Sequence, residues 1–268
     1  NVQIGDIGAN AGNTIGGNGE HGIKLTGKAP NPAPPIFRDG PIPFSTHLMR
    51  NYIGVLFNVS GEPLPAGNGL NGIIGEDVAG VLVGGDTPDM ANSIMANGNL
   101  GVLFRMVHAT ASQPVAAKVT GNNIGALFDA LGNITTNLGN ALGGIEAENS
   151  SAIEIGGQEP EDPVNLVASN GGFGIKAAAS TAITLARNTV IKNQGPGVHL
   201  LQTTETTVVG NSIGVKVGTQ VANSGNVGPG ILVEQSPGNT IGGTQPNSYN
   251  QIGNHLTSAA IHFLNTHP

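Results

Sequence analysis

The chain has 268 residues, of which 43 are Gly and 30 are Asn, with 10% charged and 3% aromatic residues and neither Cys nor Trp. No strict Gly-X-Y period is present, so the Gly excess is not collagenous, and 38% apolar residues argue for a packed chain rather than a disordered one. The lack of Cys excludes a disulfide scaffold, thiolate metal sites and a Cys nucleophile, while a net charge of −7 with only 10 Lys and Arg excludes a nucleic-acid groove.

The chain opens on Asn1 with no basic segment leading into an apolar one, which suggests a processed chain or part of a longer one. No run approaches the ~18 apolar residues of a membrane span. Onward from Val2-Gln3-Ile4-Gly5, apolar residues come in short β-branched bursts between Gly and Asn, and runs of helix formers are nearly absent. Short strands are predicted at Gly22-Ile23-Lys24-Leu25, Gly72-Ile73-Ile74, Gly101-Val102-Leu103-Phe104, Gly144-Ile145-Glu146-Ala147, Gly174-Ile175-Lys176, Gly197-Val198-His199-Leu200, Gly230-Ile231-Leu232-Val233 and Ala260-Ile261-His262-Phe263. Asn-x-Ile-Gly recurs at Asn51, Asn122 and Asn211. Ile/Val-Gly-Gly recurs at Ile15, Val83, Ile155 and Ile241, at intervals of 68, 72 and 86 residues.

Repeats of this length, each with two or three strands joined by Gly/Asn corners, predict a solenoid whose parallel strands stack ~4.8 Å apart. A sandwich or barrel would not return the same phrase at the same point of each unit. Asn51, Asn122, Asn188, Asn211, Asn239 and Asn250 are assigned to corners, where Asn tolerates the left-handed region and can hydrogen-bond coil to coil.

The run Asn211-Ser-Ile-Gly-Val, Gly230-Ile-Leu-Val, Gly238-Asn-Thr-Ile-Gly-Gly-Thr and Asn250-Gln-Ile-Gly-Asn254 resembles the coils of right-handed parallel β-helix proteins of the pectate-lyase-like fold. Its style is most like that of repetitive bacterial and archaeal surface proteins. The resemblance implies an all-β chain: one right-handed parallel β-helix of about nine coils with a few surface loops, spanning residues 1–268. It fixes an architecture and no activity, since the fold hosts lyases, hydrolases, epimerases, adhesins and structural proteins. Residues 29–50, Pro-rich from Ala29 to Phe44, read as a loop excursion, with smaller ones at Thr110 to Val119 and Gln158 to Pro163.

Apparent enzyme motifs dissolve in the repeat. Gly210-Asn-Ser-Ile-Gly214 fits a nucleophile elbow, yet Ser212 stands where Tyr52 and Asn123 stand in other units and no helix follows. Gly17 to Gly22 and Gly67 to Gly72 fit G-x-G-x-x-G but precede strands. Gly16 to His21 approaches a calcium nonapeptide with His21 at the Asp position, and does not repeat. No cofactor or metal is expected.

If the residue after each Gly points inward, the next points out. One outward column is then Lys24, Ile74, Leu103, Glu146, Lys176, His199, Leu232 and His262. The second, two residues on, is Thr26, Glu76, Arg105, Glu148, Ala178, Leu201, Glu234 and Leu264. Opposite charges fall side by side, as in a ladder of cross-strand ion pairs. A carbohydrate-active reading uses the same face: β-helix glycosidases and lyases employ carboxylates and basic groups, and Glu146, Glu148, Arg105, Lys176 and His199 would be the catalytic set. Glu146 and Glu148 have Cα atoms about 6.6 Å apart on one strand. Against it, the neighbouring cations favour ionised carboxylates, and the polygalacturonase clusters Asn-Thr-Asp, Asp-Asp and Gly-His-Gly and the alginate-epimerase Asp-Pro-His-Glu are absent. The apolar members Ile74, Leu103, Leu201, Leu232 and Leu264 would form an exposed assembly face. No cap helix is visible at either end, so further coils or another molecule are expected to cover bare β edges.

The sequence therefore predicts a non-enzymatic, extracellular or cell-surface β-helix, structural or adhesive. Its partners would be copies of itself or neighbouring surface proteins, and polysaccharide, with no nucleic acid. The alternative is a polysaccharide lyase, hydrolase or carbohydrate-binding β-helix using the charged face. The sequons at Asn58, Asn133 and Asn149 are as many as chance supplies in an Asn-rich chain.

Overall fold

The structure is a computed structural model that describes residues 2–6, 12–27, 45–129, 133–157, 161–215, 224–255 and 257–264. Among them there is no α-helix, only a short 3₁₀ turn at Pro88–Met90. No helix is long and apolar enough to cross a membrane.

The chain winds through three parallel sheets in turn, each of eight strands. Sheet I runs from Val2–Ile4 to Thr240–Ile241, sheet II from Thr14–Ile15 to Gln251–Ile252, and sheet III from Ile23–Thr26 to Ile261–Leu264. Every pairing within these three sheets is parallel and links a strand to its equivalent in the next coil, which defines a parallel β-helix. Among the described residues the stack has eight coils, against about nine expected. Two antiparallel hairpins stand outside the stack: Val55–Phe57 with Pro63–Pro65, and Ala126–Phe128 with Ile134–Asn137. They leave the corner after sheet II at Gly54 and Gly125, whose φ values of 86° and 91° turn the chain outward.

Alternation places one side chain in two inside the stack. Sheet II contributes a single inward column that includes Ile53, Ile94, Ile124, Val167, Val190 and Ile213, all fully buried. Sheet III adds Ile73, Val102, Ile145, Ile175, Val198 and Ile231, which close one continuous core. The Gly before each sheet III strand has a steric origin. A Cβ on Gly101 would lie 2.8 Å from Ile124 Cγ2 and 2.7 Å from the Gly144 carbonyl oxygen.

Two expected loops shrink. Residues 29–44 lie outside the described residues, but Thr46–Leu48 is a sheet I strand, so the excursion does not extend to 50. Likewise Ala117–Thr120 belongs to sheet I, so the excursion at Thr110 ends before Val119. Of Gln158 to Pro163, residues 158–160 lie outside the described residues.

Candidate functional site

The outer face of sheet III has the register read from the sequence. Leu103 pairs with Ile74 and Glu146; Arg105 with Glu76 and Glu148; Glu146 with Lys176; Lys176 with His199; and Leu201 with Glu234. The five residues of the candidate catalytic set are engaged in cross-coil contacts with one another or with Glu76 and Glu234. Arg105 donates its Nε–H to Glu148 at 2.7 Å and places Nη1 3.7 Å from Glu76. Lys176 Nζ lies 2.9 Å from Glu146 and 5.4 Å above the Phe173 ring. The bond to Glu148 pushes the Arg105 guanidinium pKa up.

Glu146 and Glu148 share a strand, but they pair in opposite directions along the axis: Glu148 reaches back to Arg105, and Glu146 reaches forward to Lys176. The arrangement separates them rather than aiming both at one glycosidic bond.

His199 Nε2 lies 3.2 Å from Glu234 Oε2. Burial lowers the imidazole pKa and Lys176 lowers it further, while the bond to Glu234 acts in the opposite sense without reversing the shift. At neutral pH the contact is therefore a neutral imidazole donating Nε2–H to a carboxylate, rather than a salt bridge.

The apolar members of the columns differ from expectation. Ile74 and Leu103 point out of the coil but are each only 3% exposed, because Leu100 and Phe173 pack over them. Phe173 finds room where Gly143 lacks a side chain, since a Cβ there would be 2.5 Å from its ring. Leu201 and Leu232 are half-buried and Leu264 is exposed, so the five residues do not form one open stripe.

The corners carry a more extensive arrangement. Between sheets I and II, Asn13, Asn51, Asn92, Asn122, Asn165, Asn188, Asn211 and Asn250 form an unbroken ladder. Each Nδ2 donates to the Oδ1 of the next coil at 2.9 to 3.1 Å. Between sheets II and III a second ladder joins Asn18, Asn68, Asn97, Asn140, Asn170, Asn193 and Asn226 at 2.7 to 2.9 Å. In the eighth coil His255 takes the next place, with Nδ1–H donating to the Asn226 carbonyl at 3.2 Å.

Asn239 is the exception among the six expected corner residues. It sits at the corner between sheets III and I, where Nδ2 bonds Thr203 and the Ser236 carbonyl. The ladder Asn residues are not themselves left-handed either. At four of the eight rungs of the first ladder the left-handed position is the residue before, Arg50, Gly121, Arg187 and Gly210, with φ between 55° and 73°. That residue turns the chain and leaves the short amide aimed into the corner. The sequence reading missed Asn13, Asn92 and Asn165 and the whole second ladder. The available signal was Asn five residues before each Gly-led strand's first inward residue, as in Asn97 to Val102.

Ser212 of the apparent nucleophile elbow lies in a sheet II strand, Ser212–Ile213, paired on both sides with the strands of neighbouring coils. Gly67 to Gly72 and Gly17 to Gly22 are corners that hold ladder residues Asn68 and Asn18. Among the described residues, no group of three or more His, Asp or Glu side chains converges on a metal position.

No family model and no curated protein matches the chain. Among solved structures, it is similar to the A-module of the mannuronan C-5 epimerase AlgE6 of Azotobacter vinelandii, at 15% identity and a TM-score of 0.44. The match covers 93% of this chain and 56% of that one, so the chain spans just over half of its length.

Proposed function

We propose that this chain is a non-catalytic structural scaffold, a persistent β-helical rod deployed at a cell surface or in an extracellular assembly. One observation carries the reading against the enzymatic one. The carboxylates and cations that would perform sugar chemistry on sheet III are spent on cross-coil pairs, Arg105 with Glu148 and Lys176 with Glu146. The two Asn ladders support it, because they bind coil to coil at two corners along the stack. The partners it implies are copies of the chain or neighbouring surface proteins.

The test is incubation with a panel of neutral and uronate-containing polysaccharides, following new reducing ends and unsaturated products. No turnover is expected. Chain cleavage that disappears in Glu148→Gln would overturn the reading, and labelling of intact source cells with a non-permeant reagent checks the surface location.

A further inference from the structure

The outer face of sheet II is unlike that of sheet III. In its last four coils the outward column is Leu166, Thr189, Ser212 and Gln251, paired in register, so after Leu166 two hydroxyls and an amide follow along the axis at strand spacing, ~4.8 Å. Over this column lies a hollow of about 380 Å³, within the range of small-ligand sites. An aromatic ring contributes to each of two walls. Phe128 stands on the second hairpin, which is anchored by packing of Phe128 and Ile134 on Ala126, Ala168 and Ile191. Tyr249 ends the loop 243–249 and is 60% exposed. That loop is braced by the Gly210 N–H donating to the Ser248 carbonyl at 3.2 Å and by Ser248 Oγ donating to the Gln245 carbonyl at 2.6 Å. Gly210 permits the crossing, since a Cβ there would be 2.9 Å from the Asn247 carbonyl oxygen.

The hollow does not stop at the corner. It shares Arg187, Gly210 and Asn247 with a second one of about 710 Å³ on sheet I. There Thr184, Thr207 and Thr240 pair in register and present three more hydroxyls. Among the described residues, no Asp or Glu lines either hollow, and Arg187 is the single formally charged residue of their walls.

We propose that this groove around the corner of sheets I and II, in coils five to eight, binds a saccharide chain. Rings with one apolar and one hydroxyl-rich face match its chemistry: aromatic walls for the apolar face, and a floor of hydroxyls and amides in place of the ordered charges of sheet III. Two joined hollows suit several linked sugar units better than one small molecule. The absence of carboxylates admits an acidic sugar as well as a neutral one and disfavours a cationic ligand. The site is separate from the charged face, so it stands whether or not the scaffold reading does.

The experiment titrates the whole chain with neutral cello-oligosaccharides and with acidic oligogalacturonates by calorimetry, with saturation-transfer NMR to map contacted protons. Binding of at least one class is expected, with transfer from the Tyr249 ring. Tyr249→Ala, at an exposed position that leaves the fold intact by circular dichroism, should weaken it about tenfold. Thr207→Arg should weaken the longer oligosaccharide more than the shorter one by filling the sheet I hollow, and Glu148→Gln on sheet III should leave binding unchanged. Absence of binding by both classes at millimolar concentration overturns the proposal. So does binding that Tyr249→Ala leaves intact, or binding that Glu148→Gln abolishes.

Discussion

Replacing Asn122 with Ala removes one rung from the middle of the first ladder. Asn122 is fully buried. Its Oδ1 accepts from the Asn92 backbone N–H at 3.1 Å and from Asn92 Nδ2 at 2.9 Å. Its Nδ2 faces the Val83 and Thr120 carbonyls, both at 2.9 Å, and Asn165 Oδ1 at 3.1 Å. A net hydrogen bond contributes about 1 kcal/mol and a buried group left without a partner costs about 1–3 kcal/mol, so the loss of this set should destabilise by about 3–5 kcal/mol. The Asn92 N–H is the group most exposed to that penalty. Asn250, half-buried in the eighth coil and within reach of water, should cost about 1 kcal/mol on the same substitution. Asn122→Asp keeps the acceptors but turns carboxylate oxygens toward two carbonyls, and should be worse than Ala at neutral pH, with partial recovery on acidification. The assay is guanidinium denaturation followed by far-UV circular dichroism, with hydrogen exchange at the Asn92 amide as a local probe. If Asn122→Ala lies within about 1 kcal/mol of the parent chain, or costs no more than Asn250→Ala, the ladder is decoration and the reasoning fails.

Gly101→Ala should destabilise by about 1–3 kcal/mol, because its Cβ would meet Ile124, the Gly144 carbonyl and Asn140 Nδ2. Gly19→Ala, with nothing within 4 Å, should change stability by less than about 0.5 kcal/mol in the same melts. A double-mutant cycle on Arg105 and Glu148 should give a coupling of no more than about 1 kcal/mol, since their side chains are 40% and 35% exposed and salt screens them. His199 has a folded pKa below its ordinary value, so the unfolded chain binds the proton more readily. Its contribution should be fully present above the unfolded value of about 6.5 and lost as pH falls through the depressed folded value. His21 is shifted the same way by burial and Lys24. The pH dependence of His199→Gln subtracted from that of the parent chain isolates the His199 part; a difference that is flat with pH would contradict the assignment.

The walls of the fold were legible because their cause is local. Gly before Ile or Val marks every sheet III strand from Ile23 to Ile231, and the crowding at Gly101 shows why a side chain is excluded there. Alternation then gave the outward columns in the register observed, down to Arg105 between Glu76 and Glu148. What failed was long-range. Whether Ile74 is exposed depends on Phe173, nearly a hundred residues later, folding back over Gly143, and no local pattern carries that. Asn92 and Asn165 lack the following Ile-Gly and so escaped a search for that phrase, although their side chains do the same work as Asn122. The hairpins at Gly54 and Gly125 were invisible because a short strand reads alike whether it pairs with the next coil or with itself.

The rungs of each ladder all point one way, with the donor in one coil and the acceptor in the next, so one Asn rung is chemically equivalent to another. The length of the molecule is thereby a free variable of its design. A whole turn can be excised or duplicated without changing the kind of rung at the junction, provided the cut falls at equivalent Asn residues. Asn188 and Asn211 are separated by 23 residues, and joining Asn188 directly to Ser212 would set an existing rung on an existing rung.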